Sequence, residues 1–247
     1  MKLIWTYSKF WKKGFKNNHV DDGYIEYLYK KSITEAGNQF KKIIYTDEES
    51  KDIFKDYVDE VKIIEPREFV FLADLKFYVL EKEQGEFCCI DGDLFLKEDL
   101  NIPQNTDVAF ELTFIDHNVF QYSEIFEKHG IQKIIPYWGN TDYSINLGLM
   151  YFNNNEELKN ELVSEFKKVQ KFYIEEIEPI YKFNEKGNQV SVCGSQYLTS
   201  QFFKNKGIVP EYFNHGNDNF EKFFHIGGPR KMFYHREYLR KQKKSTI

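Results

Sequence analysis

Two hydrophobic periods alternate along the first part of this chain, and that alternation limits its fold more than any other feature. Short β-branched and aromatic runs at "KLIWTY", "KKIIYT", "VKIIEP" and "EFCCI" are separated by stretches of helical spacing, "YIEYLYKKSITEAG", "ESKDIFKDYV" and "REFVFLADLKFYVLEKEQG". Gly37, Pro66 and Gly85 punctuate the ends of these segments. Strands and helices that follow one another in this way build parallel βαβ units with right-handed crossovers. The expected fold is an α/β, Rossmann-type sandwich with a mostly parallel central sheet flanked by helices.

With 247 residues the chain can bury one sizeable core, and no repeat, low-complexity segment or Pro/Ser-rich linker divides it. It reads as one domain over 1–247, with a first half to about residue 100, a differently organised half over about 101–235 and a basic tail over 236–247. In the second half "DVAFEL" and "INLGLMYF" read as strands, and "NEELKNELVSEFKKVQKFYIEEI" and "GSQYLTSQFFKNKG" as helices. "EKFFHIGG" reads as a late strand meeting a glycine turn.

The helix expected over about 68–83 carries two apolar stripes, Val70, Ala73, Phe77 and Leu80, and Leu72, Leu75 and Val79, so it is covered on more than one side. Asp74 and Lys76 are the charges in its middle. Either each reaches solvent at a helix edge, or both look into a polar cleft.

The formal net charge of −5 gives no general attraction for nucleic acid. The terminal run "HREYLRKQKK" is basic and suits an anionic membrane surface or a nucleic acid, and a solvated helix explains it equally. No apolar stretch approaches the roughly 20 residues of a membrane-spanning helix, and "MKLIWTYSKFWKK" lacks the apolar region of a secretion signal. A soluble, cytoplasmic protein is expected, peripheral at a membrane at most. The three cysteines, two of them adjacent, make neither a disulfide framework nor a C-x-x-C zinc site and read as small buried hydrophobes. The 24 Phe and 17 Tyr fit sugar-stacking surfaces, but with Lys, Asn and Ile they are also what an AT-rich genome encodes.

"EFCCIDGDLFL" runs an apolar strand straight into Asp91-Gly92-Asp93. In open α/β sheets ligands bind outside the carboxyl ends of the strands. Residues two apart in an extended segment point to one side, and Gly92 lets a large ligand approach the backbone. Two carboxylates so spaced suit a hard divalent cation, Mg²⁺ or Mn²⁺, that keeps open positions for phosphate oxygens; an ordinary Asp-Gly turn with solvated carboxylates is the plain alternative. In "FFHIGGPRK", a glycine turn followed by Arg230 and Lys231 fits an anion such as a diphosphate. His225 is either a third metal ligand or a hydrogen-bonded strand-end histidine. Tyr7, after the first strand, either stacks on a nucleobase or is core. Glu111 and Asp116 either reach the cleft or lie in a solvated loop.

Together these segments resemble the GT-A-fold glycosyltransferases, and are most similar to the retaining glycosyltransferases of family 8. "FLADLKFYVLEKEQGEFCCIDGDLFL" looks like that fold's helix and D-x-D strand. "HIGGPRK" has the H-x-x-G-x-x-K spacing with His225, Gly228 and Lys231, "INLGLMYF" is similar to the Asn-x-Gly strand through Asn146 and Gly148, and "GSQYL" places Gln196 in the Asp-Gln pair. The resemblance spans about 69–231 and departs from the family at Lys76 for an arginine, at Ser195 for the aspartate, and at Met232-Phe233 for Pro-Trp.

The resemblance implies a metal-dependent transferase that uses a nucleotide sugar, in the UDP form, with retention. It implies that Asp93 and His225 chelate Mn²⁺ or Mg²⁺, that Asp91 binds the metal or the ribose, and that Lys231 and the Gly228 backbone hold the diphosphate with Lys76 adding charge. Asp74 would hydrogen-bond a donor-sugar hydroxyl, with Asn146 and Gln196 lining the sugar site and Gln196 on the reacting face. The acceptor stays open among a glycan, a lipid-linked saccharide, a protein and modified DNA. A non-catalytic nucleotide- or partner-binding protein of the same fold is the alternative. A nucleotidyltransferase is a third reading, for which "TYSKFWKKG" is a poor match to the glycine-rich basic loop required.

Overall fold

The computed structural model describes residues 1–9, 22–66, 71, 73–96, 100, 102–111, 113–114, 117–139, 143–181, 185–213 and 223–225. The four apolar runs of the first part are strands: β1 (Lys2–Tyr7), β2 (Lys41–Thr46), β3 (Glu60–Ile63) and β4 (Phe87–Ile90). Between them lie α1 (Asp22–Glu35), a 3-10 turn (Glu48–Ser50) running into α2 (Lys51–Phe54), and α3 (Asp74–Lys82). β1 pairs parallel with β2 on one side and with β4 on the other, and β2 pairs parallel with β3.

The second half adds β5 (Leu94–Leu96), β6 (Val108–Phe110), β7 (Thr113–Phe114), α4 (His117–Lys128), β8 (Ser144–Ile145), β9 (Leu149–Phe152) and α5 (Glu156–Phe172). It continues through α6 (Glu178–Tyr181), α7 (Glu185–Lys206), β10 (Glu211–Tyr212) and β11 (Phe223–His225). The seven-stranded sheet has the order β10-β6-β9-β4-β1-β2-β3. β9 is antiparallel to both neighbours, β4 and β6, and the other strands of this sheet share one direction. The architecture is thus the expected α/β sandwich around a mostly parallel sheet. Two antiparallel ribbons, β5 with β11 and β7 with β8, stand outside it.

Central parallel strands are apolar on both faces because helices cover both. Ile4, Ile43, Cys89 and Met150 share one core with Phe77 of α3, Phe166 of α5 and Phe203 of α7. Their neighbours Leu3, Trp5, Ile44, Cys88 and Leu149 share the other with Ile33 of α1, Ala36 just after it, and Phe54 of α2. Phe77 and Phe166 stack with ring centroids 3.6 Å apart, and full burial of each such ring is worth roughly 1.5–3 kcal/mol. The adjacent cysteines divide between the two cores as small hydrophobes, and burial pushes the Cys89 thiol up to about 12.

Several elements differ from expectation. α3 begins at Asp74, later than the spacing suggests, with 67–70 and 72 outside the described residues. "INLGLMYF" is not one strand, since Asn146–Gly148 separates β8 from β9. The long helix passes through a π-helical turn at Tyr173–Ile177 before α6, which carries Tyr173 inward to 5.0 Å from the Phe71 ring. α4 follows no pattern singled out in the sequence. α7 ends as predicted at Gly207, whose φ of 67° is the left-handed cap that glycine adopts without strain. Among the described residues no helix is long and apolar enough to cross a membrane.

Candidate active site

The chain leaves β4 at its carboxyl end through Asp91, Gly92 and Asp93 and re-enters a strand at Leu94. This turn is fastened on several sides. The Asp91 N–H donates to the Gly148 carbonyl at 2.8 Å, and the Leu94 N–H to the Asp91 carbonyl at 3.1 Å. The Ser32 hydroxyl of α1 donates to the Leu94 carbonyl at 2.5 Å and accepts from Trp5 Nε1 at 2.9 Å. Asp93 is buried, whereas the Asp91 side chain keeps 37% of its surface open.

Gly92 has a different reason to be glycine from the one expected. A Cβ built there would lie 2.2 Å from ring carbons of Tyr29 on α1, so the close approach is made by a residue of the chain itself. The Tyr29 hydroxyl donates to the Thr6 carbonyl of β1 at 2.8 Å. Tyr29 thereby clamps the D-x-D turn onto the end of the central strand. Burial, and next the neighbouring Asp91 and Asp93 carboxylates, push its hydroxyl well above the ordinary tyrosine range. Helical spacing places Tyr29 on α1 but carries no sign of this contact.

Tyr7 is buried, with its ring 5.2 Å from Tyr29 and 4.9 Å from Phe54, both edge-on. Of its two sequence readings, this packing accords with the core position. Asp74 is also buried, with both carboxylate oxygens accepting hydrogen bonds from the protein. One oxygen accepts from the Phe71 N–H at 2.9 Å, closing the turn that leads into α3, and the other from Gln170 of α5 at 3.0 Å. Lys76 is also buried. Its ammonium lies 2.7 Å from Asp91 Oδ1 and donates to the Leu147 carbonyl. The solvent-edge reading of these two charges is therefore wrong for both.

Asn146 sits in the crossing between β8 and β9, where its Oδ1 accepts the Gly148 N–H at 2.7 Å in an Asx turn. The carbonyls of Leu147 and Gly148 meet Lys76 and the Asp91 amide, so this crossing and the D-x-D turn are one hydrogen-bonded unit. On α7, Gln196 is half-buried and Ser195 is buried. Glu111 is buried with its amide on the Leu149 carbonyl at 2.9 Å.

β11 pairs antiparallel with β5, and in this register His225 stands opposite Leu94. Gly228, Arg230, Lys231, Asp116 and the basic tail lie outside the described residues. Among the described residues no group of three His, Cys, Asp or Glu side chains gathers as a cation site. The pair Asp91 and Asp93 nevertheless has the hard oxygen chemistry that Mg²⁺ or Mn²⁺ requires, and the His225 position adjoins it along the β5–β11 ribbon.

No protein-family model and no curated protein sequence matches the chain. Among solved structures, it is similar to mouse xyloside xylosyltransferase 1 in its apo form, at 12% identity and a TM-score of 0.46 over 86% of this chain and 84% of that one. It is similar to glycosyltransferase GlyE of Streptococcus pneumoniae TIGR4 at 11% identity and a TM-score of 0.46, over 86% of this chain and 45% of that one. Another similar structure is 4-diphosphocytidyl-2C-methyl-D-erythritol synthase of Anaerococcus prevotii DSM 20548, at 12% identity and a TM-score of 0.44 over 97% and 99% of the two chains.

Proposed function

We propose that this chain is a metal-dependent glycosyltransferase that moves a sugar, with retention, from a UDP-linked donor to a glycan, lipid-linked saccharide, protein or modified-DNA acceptor. The observation that carries the reading is the β5–β11 register, which sets His225 opposite Leu94, one residue past Asp93. The turn carrying Asp91 and Asp93 and the strand carrying His225, far apart in sequence, thereby adjoin at the carboxyl end of a central strand, the position at which α/β sheets bind ligands.

In this reading Asp91, Asp93 and His225 hold Mn²⁺ or Mg²⁺, which when bound supplies Lewis-acid neutralisation of the diphosphate. Lys231 and the Gly228 N–H take up the remaining diphosphate charge, and Lys76 acts on it through Asp91. Asn146 and Gln196 line the sugar site. The anomeric C–O bond breaks with its electron pair left on the departing phosphate oxygen, and the acceptor oxygen bonds to the anomeric carbon on the same face. Its proton passes to that phosphate oxygen, so no separate base is required.

Ser195 favours a second reading, a protein that holds a nucleotide sugar without transferring it. It stands where the resemblance calls for a carboxylate, and it is buried. One experiment separates the two: UDP or GDP release from a panel of nucleotide sugars with Mn²⁺, Mg²⁺ or EDTA, without acceptor, with Asp93→Ala as control. Slow metal-dependent release from one donor, abolished in a folded Asp93→Ala, is expected of the transferase. A thermal shift with that donor and no release even with acceptor panels supports the holding protein, and neither shift nor release refutes both.

A further inference from the structure

Within the buried stretch of α7 from Gly194 to Phe203, Gln196 is the residue that keeps part of its surface open. In the crossing from Ser144 to Gly148, Asn146 is the residue that does so. The same buried hydroxyl joins the backbones of these two segments. Ser200 Oγ donates to the Gln196 carbonyl at 3.0 Å and accepts the Ile145 N–H at 2.9 Å, and Ser200 is fully buried. One turn of α7 and the residue preceding Asn146 are thus held at a fixed spacing by two hydrogen bonds through a single atom.

A hydroxyl that bonds back to the carbonyl four residues earlier is ordinary in a helix and needs no function. Thr199 supplies that ordinary case one residue away, since its Oγ1 donates to the Ser195 carbonyl at 2.8 Å, it is equally buried, and no bond to β8 accompanies it. What distinguishes Ser200 is the second bond. Without it the Ile145 amide, inside the core, has to find another acceptor, and the backbone segments that carry Gln196 and Asn146 are no longer tied together.

We infer that Ser200 is a positioning residue that sets Gln196 against Asn146 and thereby governs which sugar of the donor is accepted. This inference rests on the donor-site reading above. Two polar amides held at a fixed distance discriminate the hydroxyl pattern of a sugar ring, while the nucleotide and diphosphate are bound elsewhere in the site. Loosening their spacing loses sugar recognition and leaves nucleotide recognition intact.

The test compares wild type, Ser200→Ala and Thr199→Val by calorimetric titration with UDP, UDP-glucose, UDP-galactose, UDP-xylose and UDP-N-acetylglucosamine in the presence of Mn²⁺. Ser200→Cys serves as a further variant that keeps a weak donor and acceptor, should the alanine protein fail to fold. Hydrogen exchange at Ile145 reports whether the bridge has been broken. For Ser200→Ala, UDP affinity is expected to stay within about twofold, and affinity for the preferred UDP-sugar to fall about tenfold, the size of one net hydrogen bond. The preference among sugars flattens, and Thr199→Val keeps it. Equal behaviour of Ser200→Ala and Thr199→Val, or a parallel loss of UDP and UDP-sugar binding, overturns the role of Ser200. A wild type that binds none of the five probes overturns the donor-site reading itself, and the inference with it.

Discussion

The acid stability of the protein should be governed by one buried carboxylate, Glu83, at the end of α3. Its side chain is 2% exposed, and it accepts from Lys2 Nζ at 2.7 Å, from the Tyr45 hydroxyl at 2.5 Å and from Lys62 Nζ. Burial alone would raise its pKa, but the hydrogen bonds from Lys2, Lys62 and Tyr45 outweigh that and hold it at about 2. Against the ordinary glutamate value of 4.5, at about 1.4 kcal/mol per pH unit, the difference is worth about 3 kcal/mol of folding stability at neutral pH. The folded value is depressed, so this contribution is complete above the unfolded value of 4.5 and is lost as the pH falls towards about 2. Glu83→Gln should therefore cost about 3 kcal/mol at pH 7, or roughly 6–12 °C in Tm for a chain of this length. The gap to wild type should close as melts are repeated towards pH 3. A variant as stable as wild type at pH 7, or a gap that widens on acidification, would refute the reasoning.

Two further predictions concern the site. Gly92→Ala forces a methyl group into the Tyr29 ring and should cost about 1–3 kcal/mol, read as a lower Tm, with Mn²⁺ affinity falling as the D-x-D turn shifts; an unchanged melt would mean that Tyr29 does not clamp the turn. Lys231→Ala should weaken UDP binding about tenfold or more with the melting temperature preserved, and unchanged UDP affinity removes Lys231 from the diphosphate site.

The sheet was legible because its central strands are continuous apolar runs set apart by amphipathic helices, and β1 to β4 appear where those runs lie. The late strand in "EKFFHIGG" was legible and appears as β11, but its pairing with β5 was not, since a strand of three residues carries no sign of its partner. "INLGLMYF" looks like a single strand by hydrophobicity, and the break at Asn146 comes from a side chain satisfying the Gly148 amide, to which periodicity is blind. Asp91, Asp93 and His225 could be proposed as one group from residue type and motif order. Tyr29, Ser32 and Ser200, which hold the surrounding backbone, could not, because each acts through a partner distant in sequence.

Lys76 shows how far the frame and the site depend on each other. Every residue of α3 from Asp74 to Leu80 is buried, so an ammonium on this helix has to be paired or it costs several kcal/mol. Its partners are Asp91 and the Leu147 carbonyl, the two turns that meet at the end of β4. Asp91, however, is 37% exposed and can be rehydrated when the lysine is removed. Lys76→Met, which keeps the length and removes the charge, should therefore change stability by only about 1 kcal/mol, well short of the ~3–5 kcal/mol of a fully buried broken pair. Relief of like-charge repulsion should at the same time tighten Mn²⁺ binding, measured by electron paramagnetic resonance on the folded variant. A folded Lys76→Met with weaker Mn²⁺ binding would mean that the lysine orients Asp91 for the metal, and that its charge does not compete with the metal for that carboxylate.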